Sequence, residues 1–347
     1  MGTPLRLKTF PDYPESLAHT MPVVRRLAVL LGVLLFVVLF WRLGPSSVLA
    51  LAVQIRWYAL VVLVLYAAHD CTRALALQGC VLRPGLLRFG DAFAIRLSGD
   101  AVESLTFTGP LLAEPTRAWL LERRGLTLTE GFAATITEDL ICTFVGAAMS
   151  IAALLLLVHY FHPAPAFART ALAVACALGV FLGVAAVAIW RRLFLIGAIV
   201  SRLARAGVLR GRLRPEIAAV NRMEELLLIT LHDQPRRFAL VASYEAASQV
   251  CLVLELFTLM RAVAQVGLFD AFVVEGAIKM IGTIFLFVPL QIGVAEGTYV
   301  ALFRVMGLSA AAGFAVVLLR RARSLAAGGI GLAVLAYLSW KRRSQSG

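Results

Sequence analysis

One ordered series of residues occurs twice in this chain, and it restricts the fold to something built from two related units. Asp91-Ala92-Phe93 stands 19 residues before Pro110, and Asp270-Ala271-Phe272 stands 19 residues before Pro289. After each proline come a glutamate, then Gly-Leu, then Gly-Phe-Ala. These are Glu114, Gly125-Leu126 and Gly131-Phe132-Ala133 in the first copy, and Glu296, Gly307-Leu308 and Gly313-Phe314-Ala315 in the second. The offset is 179 residues up to the prolines and 182 residues after them, so the second copy carries three extra residues in between. Gly-Leu or Gly-Phe-Ala alone would recur by chance in an apolar chain. The whole series with one shift reads as a duplication. Beyond it the charge reverses: copy one has Glu138-Asp139 where copy two has Arg320-Arg321.

The surroundings of the repeat are a membrane protein. The chain is 61% hydrophobic with a mean hydropathy of +0.87, against roughly 45–50% apolar residues in soluble domains. Several runs reach the roughly 20 apolar residues that carry a helix across the hydrocarbon core. Residues 1–22 are polar and proline-punctuated, and no small-residue cleavage site follows the apolar stretch Leu27 to Phe40, so a cleaved signal peptide is not expected. The net charge of +13 sits at span ends and in one loop, as the positive-inside rule requires. Anionic lipid headgroups, not nucleic acid, are the expected partner. Five scattered cysteines form no CxxC pair, so no disulfide framework and no metal site is expected. No phosphate-binding loop, Gly-x-Ser-x-Gly elbow, His-Glu-x-x-His or kinase signature occurs. Neither catalytic residues nor a cofactor is expected, and the chain does not read as an enzyme.

The expected class is all-α and integral to the membrane, with about six full transmembrane helices plus two re-entrant or broken helical hairpins in an inverted repeat. The spans run roughly over 23–43, 57–78, 130–160, 168–190, 238–266 and 310–340. A cytoplasmic segment, 1–22, precedes one membrane domain, 23–343, and a tail, 344–347, follows it. Within the domain, repeat one covers about 57–160, a basic cytoplasmic loop about 191–237, and repeat two about 238–340. Arg25-Arg26, Arg191 to Arg214 and Lys341-Arg342-Arg343 all belong on the cytoplasmic side. Six spans satisfy this if each interrupted region enters and leaves on one face, which inverts the second copy relative to the first. The alternative is two ordinary short spans per region, giving ten crossings. The bends are expected at Gly109-Pro110 and around Pro289 and Gly293, where proline ends a helix and glycine permits a close turn.

Ionisable residues inside such spans are costly and normally face a cavity or a partner. Glu138 and Asp139 lie about 12 Å into their span at 1.5 Å per residue, and Arg320 and Arg321 lie at matching depth in theirs. Either the acids and guanidiniums neutralise each other and lock the halves together, or an arginine receives a lipid phosphate, which a guanidinium matches bidentately. Glu114 has Arg117 as an i,i+3 partner, whereas Glu296 has no basic residue within four positions and is the stronger candidate for a cavity-facing acid. Arg96, Glu103 and Lys279 enter the interrupted regions and are candidates for the same cavity. Glu245 and Glu255 are candidates for facing the interior. His69-Asp70 reads as a proton relay or a satisfied core pair, and His159 with His162 lacks a third metal ligand.

The run from Thr108 to Leu121, TGPLLAEPTRAWLL, resembles the membrane domain of lysylphosphatidylglycerol synthases, as do Pro289 to Gly297, PLQIGVAEG, and Arg320-Arg321-Ala322-Arg323. The resemblance extends from about Arg25 to Tyr337 and is to a broad flippase-like family, including stand-alone bacterial proteins associated with hopanoid biosynthesis. It implies a bacterial inner-membrane protein with both termini cytoplasmic that moves an amphipathic, anionic or isoprenoid-type lipid between leaflets. In bifunctional relatives a soluble half aminoacylates the lipid; this chain ends at Gly347, so that activity is not expected in cis. The alternatives are a non-catalytic membrane partner of lipid-biosynthesis enzymes and an intramembrane lipid-modifying enzyme. The family's motifs fall on Pro110, Glu114, Pro289, Glu296, Arg320 and Arg321.

Overall fold

The computed structural model of the protein describes residues 58–83, 85–105, 110–193, 214–284 and 293–343, together with Trp41, Arg202 and Gln291. Residues 1–22, the first span apart from Trp41, Gly109, Pro289, most of the Arg191–Arg214 stretch and the 344–347 tail lie outside them. The chain builds α1 (Ala59–Cys80), α2 (Phe89–Leu105), α3 (Pro110–Glu122) and α4 (Leu128–Phe161). Next come α5 (Pro165–Trp190) and α6 (Arg214–Leu228), which runs into a π-helical turn at Ile229–Asp233. It continues with α7 (Pro235–Val263), α8 (Leu268–Ile284), α9 (Val294–Val305) and α10 (Ala310–Arg343).

Helices α7 to α10 restate α1 to α4. Both α2 and α8 have 17 residues, α3 and α9 have 13 and 12, and α4 and α10 have 34 each. The repeated residues are those that set these boundaries. Gly125 (φ +98°) and Gly307 (φ +73°) follow α3 and α9 in the left-handed conformation that a side chain would resist. At Gly131 and Gly313 a Cβ would lie 2.8 Å from the Ala118 carbonyl oxygen and 2.9 Å from that of Tyr299. Glycine there lets each short helix lie against the first turn of the following long one. A capping box starts α4: Thr127 Oγ1 accepts from Glu130 N at 3.2 Å, and Glu130 Oε2 accepts from Thr127 N at 2.8 Å. Pro165 and Pro235 open α5 and α7, at positions where a missing N–H costs nothing.

The two units interlock. Helices α1 and α7 pack on each other at the centre, α2 packs on α10, and α8 packs on α4. Each short helix pair therefore reaches across to the long helix of the other unit. Both crossings use a glycine, placed on opposite partners. A Cβ on Gly276 of α8 would sit 3.1 Å from the Met149 carbonyl oxygen, and one on Gly331 of α10 would strike the Leu97 carbonyl oxygen. Met149 and Gly331 are equivalent by the repeat, as are Leu97 and Gly276. Two apolar cores result, one around Leu77, Leu121 and Ile141, the other around Leu157, Leu256 and Phe303.

Helices α1, α4, α5 and α7 are long and apolar enough to cross a bilayer. Their outer faces expose Leu60, Leu155, Phe181, Val184 and Val250, which would be costly in water and are at home in lipid. The chain is a multi-pass, all-α membrane protein. Helices α2, α3, α8 and α9 fall short of the roughly 20 residues of a full span.

Candidate functional site

Glu138, in the third turn of α4, is fully buried. Its Oε1 accepts from Arg73 Nε at 2.9 Å and Nη2 at 2.6 Å, and its Oε2 accepts from Arg96 Nη1 at 2.7 Å. One carboxylate is thus held by two guanidiniums, from α1 and α2. Arg96 also contacts Asp100 at 3.2 Å. Arg117 of α3, fully buried, gathers Asp100, Glu114 and, at 2.9 Å, Glu103. Gly99 makes room for the Arg117 side chain, which a Cβ at that position would strike. The outer edge is acidic: the Glu103 side chain is 41% exposed and Asp100 26%.

The second unit repeats this arrangement with the signs exchanged. Arg320 of α10 donates to Glu275 Oε2 of α8 at 2.6 Å and to Tyr299 Oη of α9 at 2.5 Å. Its other nitrogen lies 3.5 Å from Glu255 of α7. One guanidinium is held by two carboxylates. By the repeat, Arg320 stands where Glu138 stands and Glu275 where Arg96 stands, and Glu255 lies 65 residues before Arg320 as Arg73 does before Glu138. Lys279 likewise replaces Asp100. Arg323 pairs with Glu255 and lies 3.8 Å over the Tyr66 ring. Tyr66 belongs to α1, so this contact ties the second centre to the first unit. Burying so many charges costs more than their mutual attraction repays unless each is paired and hydrogen-bonded. Each of these charged groups has an oppositely charged partner, while one oxygen each of Glu114 and Glu255 and the Nε of Arg117 and of Arg323 are buried without a hydrogen bond.

Several expectations are corrected by this geometry. Glu138 and Arg320 do not neutralise each other across the units, because each finds its partners nearer, on helices of its own unit. Asp139 is exposed on α4 and is not part of the buried centre, since adjacent helical residues point about 100° apart. Glu296 is not without a basic partner: Arg321, 25 positions on, lies 2.8 Å away, and the other oxygen accepts from Gly293 N at 2.7 Å. Gly293, at φ +82°, makes the turn into α9. Pro110 is the first residue of α3. Lys279 donates to Gln249 of α7 at 2.6 Å. His69 does not engage Asp70; its Nδ1 lies 3.1 Å from the Ser248 carbonyl oxygen and stitches α1 to α7. Arg73 lies two-thirds of the way along α1, its side chain 12% exposed.

Arg96, Glu103, Glu114, Arg117 and Glu138 are brought together in the first centre, and Glu296, Arg320 and Arg321 in the second. Arg73, Glu275, Tyr299 and Arg323 are members that residue-by-residue reading passed over. The repeat offset carried a signal for two of the positions: 179 applied to Arg96 and Asp100 lands on Glu275 and Lys279. Among the described residues no three His, Cys, Asp or Glu side chains gather as a metal site.

No curated protein and no solved structure matches the chain. The model of the lysylphosphatidylglycerol synthase transmembrane region matches residues 25–331, which takes in both charged centres and the helices that carry them. With most of its length under that one match, the chain belongs to the lysylphosphatidylglycerol synthase transmembrane-region family.

Proposed function

We propose that this domain moves a lipid with an anionic headgroup between the leaflets of the bacterial inner membrane, the headgroup passing the charged centres while the tails stay in lipid. The observation that carries the reading is the convergence of Arg73 and Arg96 on a single buried carboxylate. Two guanidiniums that hold a carboxylate bidentately can hold a phosphate in the same way. Asp100, on the acidic edge, gives Arg96 an alternative partner when a headgroup leaves.

The architecture supports the same reading. With α1, α4 and α5 as three crossings, α7 begins on the face opposite the one where α1 begins, so the two units are inverted. The short pairs α2–α3 and α8–α9 then enter from opposite faces, one centre reached from each. Both termini and the Arg191–Arg214 stretch lie on the cytoplasmic side in this arrangement.

Purified full-length protein in phosphatidylcholine vesicles carrying fluorescent phosphatidylglycerol tests the proposal. Membrane-impermeant dithionite is expected to bleach the inner-leaflet label faster than in empty vesicles. Arg96→Gln, which removes one charge-assisted contact of about 1.5–3 kcal/mol, should slow the movement roughly tenfold or more. Bleaching no faster than in empty vesicles, for anionic and zwitterionic phospholipids alike, overturns the reading.

A further inference from the structure

Glu245 of α7 is fully buried beside Glu138. Both acids reach the same nitrogen: Arg73 Nε donates to Glu138 at 2.9 Å and lies 3.5 Å from Glu245 Oε2. The two carboxyl groups are therefore neighbours that share one guanidinium nitrogen. Glu245 Oε1 is buried and accepts no hydrogen bond. Two ionised carboxylates do not sit against each other out of water, whereas one proton between them turns repulsion into a hydrogen bond. Glu138 already has both arginines, so Glu245 is the acid left over.

Among the described residues, the other cations around the pair are engaged elsewhere. Arg73 and His69 face the pair from α1, Arg96 from α2 and Arg117 from α3, and Arg117 is engaged by three other acids. Cys142 on α4 is next to Gln249, which takes the Lys279 ammonium of α8. Glu224 of α6 is buried, His232 and Asp233 of the π-helical turn engage Arg192, and Arg320 and Arg323 of α10 engage Glu255. In the second unit Arg320 replaces Glu138, so the equivalent site there has no acid pair.

We propose that Glu138 and Glu245 form a proton-binding site, and that this site makes lipid movement a proton co-transport. The second clause rests on the proposed function. When a headgroup phosphate takes Arg73 and Arg96, Glu138 loses both guanidiniums and accepts a proton from the water that admitted the headgroup. One negative charge enters and one is neutralised, so the charge of the site is unchanged. When the phosphate leaves, the arginines return to Glu138 and that proton is released with the lipid. Each anionic lipid thus travels with one proton, and no net charge crosses the bilayer.

Infrared spectroscopy of the full-length protein in detergent tests the site without any transport. Wild type is expected to show a protonated-carboxyl band at neutral pH, lost in both Glu245→Gln and Glu138→Gln. No such band in wild type, or its persistence unchanged in both variants, overturns the proton site. In the vesicles above, a pH gradient, acidic on the side of departure, should speed phosphatidylglycerol movement severalfold. A potassium potential set with valinomycin should change it less than twofold, and Glu138→Gln, which has no carboxylate to take up the travelling proton, should abolish the response to pH. Movement driven by the potential and indifferent to pH overturns the co-transport. Absence of movement altogether overturns the proposed function and, with it, the co-transport, while the infrared result still decides the proton site.

Discussion

The centres around Glu138 and Arg320 occupy the same place in two copies of one helical unit, and their charges are opposite. In the first, two guanidiniums hold a carboxylate; in the second, two carboxylates hold a guanidinium. The backbone that carries them is the same down to helix lengths and turn glycines. Helix packing therefore does not choose the sign. What it requires is that a charge arriving from the long helix meet its complement on the two preceding helices. A buried charge without its complement costs several kcal/mol, so sign changes at such positions are tolerated as matched sets. The centres also differ in what surrounds them. The first has surplus acids, one fully buried, while the second has extra arginines, Arg321 and Arg323, each already engaged.

The severest test of that equivalence is to remove the odd-signed residue of one centre. Arg320→Met leaves Glu255 without one of its arginines and Glu275 without its clamp, and should cost about 3–5 kcal/mol. It would be read as a fall in melting temperature and a loss of monodisperse protein in detergent. A wild-type melting profile would mean that the second centre does not hold its unit together. Arg320→Glu alone should be at least as damaging. Adding Glu275→Arg gives the second centre the signs of Arg96 and Glu138, and should recover at least half of the lost melting temperature. If the double variant is no better than the single one, the centres are alike in sequence but not in mechanics.

The glycine crossings provide a milder comparison. Gly276→Leu and Gly331→Leu each force apart a short pair and the long helix it crosses, at about 1–3 kcal/mol for overpacking. The two losses, measured by thermal denaturation, should fall within the same range if the interlock is symmetric. A large effect at one and none at the other would show that one crossing carries the assembly. Smallest should be Thr127→Ala, which removes the hydroxyl of the α4 capping box. About 1 kcal/mol is expected, with lipid movement unchanged because the cap touches neither centre.

Much of this could be seen before any coordinates. The ordered Asp-Ala-Phe, Gly-Leu and Gly-Phe-Ala series marks helix-end and close-approach positions, where side-chain size or backbone handedness leaves few choices. The sign reversal at Glu138 and Arg320 was also visible, though its meaning was not. Reading adjacent residues as pairs put Asp139 with Glu138, and it is exposed. Arg73 belongs to no motif that would single it out, and it packs against Glu138 with its side chain 12% exposed. Searching four positions either side of Glu296 missed Arg321, because its partner arrives from another helix.

The sequence by itself determined the membrane class, the duplication and the family, since these are written in hydropathy and in the order of residues along the chain. Only the tertiary structure decided which charges meet. Arg73 is 65 residues from Glu138, as Glu255 is from Arg320, and what joins them is the rotation of each helix about its axis. In a soluble protein the polar face of a helix announces that rotation. Here lipid and protein interior are both apolar, so the helix surface carries little sign of which side faces in, and the crossings at Gly276 and Gly331 settle it.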